Sequence, residues 1–358
     1  MKILQKGVCL LFLILLSDFG ELQAGDYKLL PPDDEGIYFG SFPDFGGPED
    51  RVSAGRVRAF NRLAGKKIAF ATFSQNWFRS MKYPRKAIHA IHRTGAVPLI
   101  RMMPRSGFRE GRKEQHFSLQ KIIDGRFDPA LRAWARAAKR DGIPLLVDFA
   151  VEMNGNWFGW SGRFNGAGRK RRYGDPALYD GPERYRDAYR HIIDIFRAER
   201  VHHITWLFHP NLQSVPRRRW NRPKYYYPGD DYIDWIGISL YGPMTPAEEE
   251  WELFDEALER WSGTIREISE RKPLALLEFG VTDHHPECDK SVWLENAFET
   301  IYSGAYLKFR AINYWHENWR EGKKRATLRI DSSSKALKTF RREADNPRLR
   351  SKARFSSP

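Results

Sequence analysis

One short segment decides the fold: residues 145–160 read LLVDFAVEMNGNWFGW. It opens with an apolar run typical of a buried β-strand and reaches a single carboxylate, Glu152. Polar residues follow at once, so the strand is predicted to end near residue 150, with Glu152 at its carboxyl end. A glutamate at a strand end is most often solvated, because charged side chains are rarely buried.

The aromatic residues that follow Glu152 favour a binding site instead. Trp157, Phe158 and Trp160 all lie within eight residues of it, and clustered exposed aromatic side chains usually mark a contact surface. Aromatic faces beside a carboxylate suit a sugar, because the C–H face of the ring stacks on an indole while the carboxylate acts on the glycosidic oxygen. Glycoside hydrolysis normally uses two carboxylates, so this interpretation requires a second one.

The rest of the chain repeats an alternation of strand and helix. Predicted strands lie near residues 37–39, 68–73, 97–102, 145–150, 203–208, 235–240, 274–278 and 311–315. Helical patterns lie near residues 51–63, 83–94, 128–140, 182–199, 251–271 and 290–303. Eight such alternations predict an α/β fold, a single (β/α)8 TIM barrel, which a chain of 358 residues accommodates.

The second carboxylate is found at the end of the seventh predicted strand. Functional groups of such barrels stand where the strands end and the next loops begin. Glu278 has this position in LALLEFG, residues 274–280, where Phe279 and Gly280 turn the chain. Carboxylates from strands 4 and 7 are expected to approach to about 5–5.5 Å, the spacing of a retaining double displacement.

Four blocks of sequence carry a family resemblance. They are VEMNGNWFGW at 151–160, ITWLFHPN at 204–211, YYPGDDYIDWIGISLYG at 226–242 and LLEFG at 276–280. In order and spacing the chain resembles glycoside hydrolase family 26, which contains retaining β-glycanases acting on mannan, mixed-linkage glucan and xylan. The resemblance implies that Glu152 is the acid/base and Glu278 the nucleophile.

The same resemblance implies that Trp157, Tyr241 and Trp315 line the sugar subsite next to the scissile bond. Arg101, Asn154 and Trp160 are added as further substrate contacts. The predicted substrate-binding residues are therefore Arg101, Asn154, Trp157, Trp160, Tyr241 and Trp315. Many family members have a histidine directly before the acid/base glutamate, where this chain has Val151. A sugar contact or a group that tunes the pKa is therefore missing, and the resemblance does not settle the polymer.

The ends of the chain differ from the barrel in composition. Residues 1–24 have a basic start and a ten-residue apolar run at Gly7–Leu16, which predicts a signal peptide and export to the periplasm or the medium. Residues 25–343 are predicted to form the catalytic domain, and residues 344–358 a basic disordered tail. With Cys9 in the signal segment, Cys288 is the one cysteine of the mature chain, so an intrachain disulfide is excluded.

The net charge of +15 is unevenly distributed. The loops at 103–127, 153–180 and 209–230 carry net charges of +3, +3 and +4, and all three are expected on the catalytic face. Arg169–Arg172 and Arg217–Arg219 would then surround the mouth and attract an acidic polysaccharide, or a neutral one in an anionic matrix. The alternative is that the basic loops aid solubility or contact the anionic cell envelope.

The sequence therefore predicts an exported retaining endo-β-glycosidase that hydrolyses a polysaccharide. The basic loops favour an acidic polysaccharide as the substrate. A neutral β-mannan or mixed-linkage β-glucan is the alternative substrate, and a non-catalytic glycan-binding barrel is the alternative class. We expect a monomer with no cofactor, no metal, no nucleic-acid partner and no membrane span. The metal-type residues between Asp283 and Asp289 are too crowded for one tetrahedral site.

Overall fold

The computed structural model describes residues 27–356, with the exception of residues 245–249, 284, 288, 322 and 323. The predicted signal peptide at 1–24 lies outside the described residues, and so do Cys9, His284 and Cys288. Within the described ranges, no helix combines the length and the apolar character needed to cross a bilayer.

Eight parallel strands form a closed barrel, which confirms the predicted fold. They are β1 (Ile37–Phe42), β2 (Phe70–Asn76), β3 (Val97–Met103), β4 (Leu145–Phe149), β5 (Ile204–Phe208), β6 (Trp235–Tyr241), β7 (Leu274–Gly280) and β8 (Phe309–Trp315). Each strand pairs with the next one in the chain, and β1 also pairs with β8, where Phe42 lies opposite Trp315. Because all strands run in one direction, their carboxyl ends meet at one mouth.

Helices cover the outside of the barrel. They are α1 (Ala54–Ala64), α2 (Arg85–His92), α3 (Leu119–Ile123), α4 (Asp128–Asp141), α5 (Asp180–Ala198), α6 (Phe254–Arg266), α7 (Lys290–Ser303) and α8 (Ser334–Ala344). The crossover from β5 to β6 has 3₁₀ turns at Arg219–Asn221 and Pro223–Tyr225 in place of an α-helix. The sequence patterns missed α3 and a hairpin after β8, formed by β9 (Asn318–Glu321) and β10 (Lys324–Thr327).

The barrel interior has an apolar floor and a polar layer above it. The floor contains Tyr38, Phe70, Leu99, Leu146, Leu207, Trp235 and Leu277. Two residues further along β2, β3 and β4 come Thr72, Arg101 and Asp148, which are polar and buried. Since side chains alternate along a strand, these residues face the interior as well. The polar layer therefore supports the groups that stand at the mouth.

The C-terminal segment is ordered up to residue 356, which corrects the predicted disordered tail. Strand β11 (Leu349–Arg350) pairs in parallel with the start of β1, and Phe355 forms a bridge with Leu29. Leu349 is buried, and the ring of Phe355 stacks on Tyr27 at 5.3 Å. The sequence pattern failed here because few of these residues are apolar. Of these few, Ala353 and Phe355 pack against the barrel floor, and Leu349 packs into the main hydrophobic core.

The basic residues of the same segment contact an acidic stretch near the N-terminus. Arg348, Arg350 and Arg354 form ion pairs with the consecutive residues 35, 34 and 33, which are Glu35, Asp34 and Asp33. These pairs are exposed to solvent, where an ion pair contributes about 0–1 kcal/mol. The apolar contacts of Leu349 and Phe355 are therefore expected to dominate the attachment.

We predict that deleting residues 346–358 destabilises the barrel by at least about 2 kcal/mol, the cost of exposing a large buried apolar side chain such as Leu349. Urea unfolding followed by far-UV circular dichroism measures this change. As a matched control, Arg348, Arg350 and Arg354 are all changed to Gln, which should cost much less. Equal stability of the deletion variant and the full chain would contradict the assignment of this segment to the floor.

Candidate active site

Glu152 stands on a strained turn directly after β4. Ala150 and Glu152 have positive φ angles of 52° and 54°, a left-handed conformation that is unfavourable for residues with a side chain. Two backbone bonds hold the turn: the N–H of Ala150 donates to the carbonyl of Met102 (3.0 Å), and that of Glu152 donates to the carbonyl of His209 (2.7 Å). The neighbouring loops therefore fix the direction of the glutamate.

The carboxylate of Glu152 is buried and has an aromatic hydrogen-bond donor. Glu152 is 8% exposed, and the indole N–H of Trp157 donates to its Oε2 at 2.8 Å. Trp157 itself is half-buried. The predicted pairing of a carboxylate with an exposed aromatic face is thus present at this position, with Trp157 as the residue that forms it.

Glu278 reaches the same mouth from β7 because of a local irregularity in the sheet. Leu277 belongs to the barrel floor, so a regular strand would direct Glu278 to the opposite face. The register between β7 and β8 shifts between Leu276 and Phe279, and an irregularity of this kind redirects side chains. As a result, Glu278 also faces the interior, where it is 4% exposed.

One hydrogen bond and one ion pair hold the Glu278 carboxylate. The hydroxyl of Tyr241 donates to Oε2 at 2.8 Å, and Nε of Arg101 lies 3.1 Å from Oε1. Burial raises the pKa of Glu278 to about 7, while Arg101 and Tyr241 oppose this rise and the charge of Glu152 adds to it. The two predicted carboxylates, Glu152 and Glu278, are therefore close enough for their charges to interact.

Arg101 and Tyr241 each keep the protonation state that lets them donate. Burial disfavours the charged form of Arg101, but the carboxylates of Glu278 and Glu49 outweigh it and raise the pKa of the guanidinium. Burial, together with the charge of Glu278, raises the pKa of Tyr241 well above its ordinary value. These shifts favour the cationic form of Arg101 and the neutral phenol of Tyr241.

Trp315 lies beside the carboxylates but is covered on both faces. It is 1% exposed; its ring stacks on Phe42 at 4.3 Å, and the guanidinium of Arg101 lies 4.8 Å from its ring centre. Trp315 therefore presents no open face to a sugar, which corrects its prediction as a residue that lines the sugar subsite. The sequence reasoning missed Trp319 in β9, which is half-buried and lies 5.8 Å from the ring of Tyr241.

A third carboxylate, Glu317, lies under these indoles. Both Trp315 and Trp319 donate their indole N–H to its Oε2, at 3.1 and 2.6 Å. Burial, reinforced by the charge of Glu49, raises the pKa of Glu317 to about 7. Glu317 belongs to the segment INYWHENW, residues 312–319. Its position in the sequence does not indicate a role, because only the turn after β8 directs it towards the site.

Asn154 and Trp160 support the site from beneath, which corrects their prediction as substrate contacts. Asn154 is fully buried; its amide donates to the carbonyl of Asn211 at 2.8 Å and accepts from the N–H of Asn211 at 2.9 Å. Trp160 is 1% exposed, and its indole donates to the carbonyl of Val151 at 2.8 Å. Trp160 thus holds the strained turn, and Asn154 ties the loop after β4 to the loop after β5.

A buried histidine links three strands below Glu152, and sequence reasoning assigned it no role. The imidazole of His209 lies 2.7 Å from the carboxylate of Asp148 and 2.9 Å from the hydroxyl of Ser239. Asp148, His209 and Ser239 interrupt or end apolar strands at inward-facing positions. A polar residue at an inward-facing position of an apolar strand is the signal that could have identified them, since a buried polar group requires a partner.

The two basic clusters occupy different places. Arg169 and Arg172 line a cavity together with Lys113 and Arg184. The guanidinium of Arg217, in contrast, lies 4.4 Å from the ring centre of Trp261 in α6, on the outside of the barrel. The prediction that both clusters surround the mouth is therefore wrong for Arg217.

Comparison with known proteins agrees with this geometry. The model of glycosyl hydrolase family 26 matches residues 117–264, which hold Glu152 with its turn, His209 and Tyr241. Over this segment the chain is similar to glycosyl hydrolase family 26. Endoglucanase H of Acetivibrio thermocellus is 26% identical over 81% of this chain and 29% of its own length. The mannan endo-1,4-beta-mannosidase of Bacillus subtilis is 24% identical over 58% of this chain and 46% of its own.

Among solved family 26 structures, the catalytic domain of the Bacillus sp. JAMB-750 endo-beta-1,4-mannanase has the same fold. It aligns with a TM-score of 0.62 at 16% identity and covers 88% of this chain and 87% of that one. The chain spans less than half the length of the curated relatives it matches. At the position where many family 26 members carry a histidine, Val151 is fully buried in the hydrophobic core.

We predict that the Glu278 carboxyl titrates near pH 7 and that Glu152→Gln lowers its pKa, because the variant removes a nearby like charge. Carbon-13 NMR of glutamate-labelled protein, with Glu278→Gln to assign the signal, follows the titration. Glu295→Gln, on the exposed side of α7, removes an equal charge at a distance and serves as the control. An unchanged titration in Glu152→Gln would contradict the coupling of the two carboxylates.

Proposed function

We propose that this chain is a retaining endo-β-glycosidase of family 26 that cleaves a polysaccharide by double displacement. The observation that carries the proposal is the pair of buried carboxylates at the ends of β4 and β7, each with its own donor: Trp157 on Glu152 and Tyr241 on Glu278. Two carboxyl groups on facing sides of one mouth are what glycoside hydrolysis requires.

The surroundings of each carboxylate suggest its role. Arg101 and Tyr241 counter the rise that burial causes in the pKa of Glu278 and hold its carboxylate in place, so we assign Glu278 as the nucleophile. A carboxylate of Glu278 attacks the anomeric carbon and forms a glycosyl–enzyme ester, while Glu152 gives its proton to the departing glycosidic oxygen. Glu152 then takes a proton from water, and the water oxygen displaces Glu278 and releases the sugar with its original anomeric configuration.

We predict that Glu278→Ala abolishes turnover on every substrate, because no glycosyl–enzyme can form. Glu152→Ala should retain the first step on an aryl β-glycoside with a good leaving group, since that departure needs no protonation. Burst kinetics of aryl release separate the two variants, and Asn296→Ala, on the outer helix α7, is a matched control for truncation.

Proton NMR of the first product provides the independent check on the mechanism. A retaining enzyme releases the β-anomer first, because two inversions restore the configuration. Early appearance of the α-anomer, or the same burst behaviour in Glu278→Ala and Glu152→Ala, would overturn the assignment of roles. Absence of turnover on neutral and acidic polymers alike would instead favour the alternative of a non-catalytic glycan-binding barrel.

The polymer we propose is acidic, with neutral β-mannan or mixed-linkage β-glucan as the alternative. Three carboxylates beside the reacting position, Glu49, Glu152 and Glu317, act on one another or on Glu278. They would repel an acidic sugar at the cleavage point, so a neutral residue is favoured there. The basic residues of the rim, such as Arg169 and Arg172, are exposed and suit acidic residues bound further away. Residues 1–24 support export, which would bring the enzyme to such a polymer.

We predict that binding of an acidic polysaccharide weakens as the salt concentration rises, because exposed charges are screened over about 8 Å at physiological ionic strength. KM for the acidic polymer should rise several-fold between low and physiological salt, while kcat changes little. Neutral β-mannan, assayed in parallel by reducing-end detection, is the control. If neutral polymers prove better substrates and salt has no effect, the acidic assignment fails and the endo-β-glycosidase activity stands.

A further inference from the structure

A cavity of about 560 Å³ lies between the loop after β3 and the loop after β4. Backbone bonds join the two loops: the N–H of Gly111 donates to the carbonyl of Trp157 at 2.7 Å, and that of Glu114 donates to the carbonyl of Gly159 at 3.2 Å. Phe158, which lines the cavity, directly follows Trp157, whose indole donates to Glu152. Because Glu152 protonates the leaving group in the proposed mechanism, we infer that the cavity belongs to the leaving-group side of the site.

The cavity has aromatic walls. Phe108 is 55% exposed, the highest value among the described large apolar residues, and its ring meets Phe78 edge-on at 5.0 Å. Phe158, half-buried, stacks on Trp160 at 4.5 Å and forms the opposite wall. Exposed aromatic faces arranged around one cavity offer stacking area for the C–H face of a sugar.

The same cavity carries an excess of exposed positive charge. Arg109, Arg112 and Lys113 line it together with one exposed acidic residue, Glu110, so these three basic residues and one acidic residue leave a net charge of +2. The carboxylate of Glu114 faces inwards and accepts hydrogen bonds from the loop, including the N–H groups of Ser106 (2.8 Å) and Phe117 (3.1 Å). It is therefore a structural brace for the loop.

A second basic cavity continues the first. Lys113 lines both, and the second one, of about 260 Å³, is also lined by Arg169, Arg172 and Arg184. Its one acidic wall residue, Asp180, is buried and accepts from the backbone N–H of Arg172 at 3.2 Å. Positive charge thus extends from the first cavity into the second, with Lys113 between them.

We propose that these two cavities bind carboxylated sugar residues on the leaving-group side of the cleavage point. Guanidinium groups match carboxylates in a bidentate geometry, and Phe108 supplies the apolar face that a sugar ring needs. The carboxylates around Glu278 exclude an acidic residue from the centre, so the recognised polymer has neutral residues at the cleaved bond and acidic residues beyond it. This inference rests on the proposed function and specifies which side of the site binds the carboxylate groups of the polymer.

The test uses a matched pair of ligands and a protein that cannot turn them over. The ligands are a β-glucan oligosaccharide bearing glucuronate residues, made by oxidation at C6, and the same oligosaccharide after reduction of its carboxyl groups. Binding to Glu278→Ala protein is measured by isothermal titration calorimetry at low salt. The oxidised form should bind at least about tenfold more tightly, a difference of about 1.4 kcal/mol.

The variants locate the preference. Changing Arg109, Arg112 and Lys113 to Gln should weaken binding of the oxidised ligand about tenfold and leave the reduced ligand within about twofold. Phe108→Ala should weaken both ligands alike, because stacking does not depend on charge. The control changes Arg58, Arg62 and Lys67 to Gln, which removes the same charge from exposed positions on the outer helix α1 and directly after it and should have little effect.

Two results would overturn the inference: equal binding of the two ligands, or equal loss of binding in the loop variant and in the control. Failure of the proposed function gives a different outcome. In that case the unsubstituted protein would not hydrolyse an activated aryl β-glycoside, whatever the calorimetry shows. If the protein binds the glucuronate ligand preferentially but hydrolyses nothing, the carboxylated-sugar site stands. Only its assignment to the leaving-group side of a catalytic site then fails.

Discussion

The buried contact between Arg101 and Glu278 is the interaction on which the site depends. A carboxylate that is 4% exposed is driven towards its neutral form by the loss of water, and a neutral Glu278 could not act as a nucleophile. Arg101, 3.1 Å away and permanently charged, opposes that effect. The cation also lies over Trp315 and binds Glu49, so removing it would leave several buried acidic groups uncompensated, which is strongly destabilising.

The backbone around Glu152 depends on its neighbours in a similar way. A left-handed glutamate is unfavourable by roughly 1–3 kcal/mol, and the turn has no glycine to reduce this cost. Hydrogen bonds from Trp160 to Val151 and from Glu152 to His209 hold it in place. Residues such as Trp160 therefore serve the chemistry by fixing geometry, although they never meet the substrate.

Charge is sorted by depth in this molecule. Carboxylates with little exposure, Glu278 among them, surround the reacting position, whereas the exposed loops beyond β3 and β4 carry arginine and lysine. In the low-dielectric centre, buried charges interact strongly with their neighbours. The exposed charges of the rim attract an oppositely charged polymer over a longer distance. Such an arrangement separates the chemistry at the bond from the recognition of the polymer, with Trp157 at the boundary between them.

The sequence by itself determined the barrel and its two glutamates, because apolar strands alternate with amphipathic helices and Glu152 and Glu278 end two of those strands. Local patterns carry that information directly. Tertiary structure decided which aromatic rings are accessible: Trp315 and Trp160 are buried, whereas Trp319 and Phe108 are not. It also ordered residues 345–356, where Phe355 packs against the barrel floor and Leu349 against the main hydrophobic core. Burial depends on contacts between distant segments, and no local pattern encodes it.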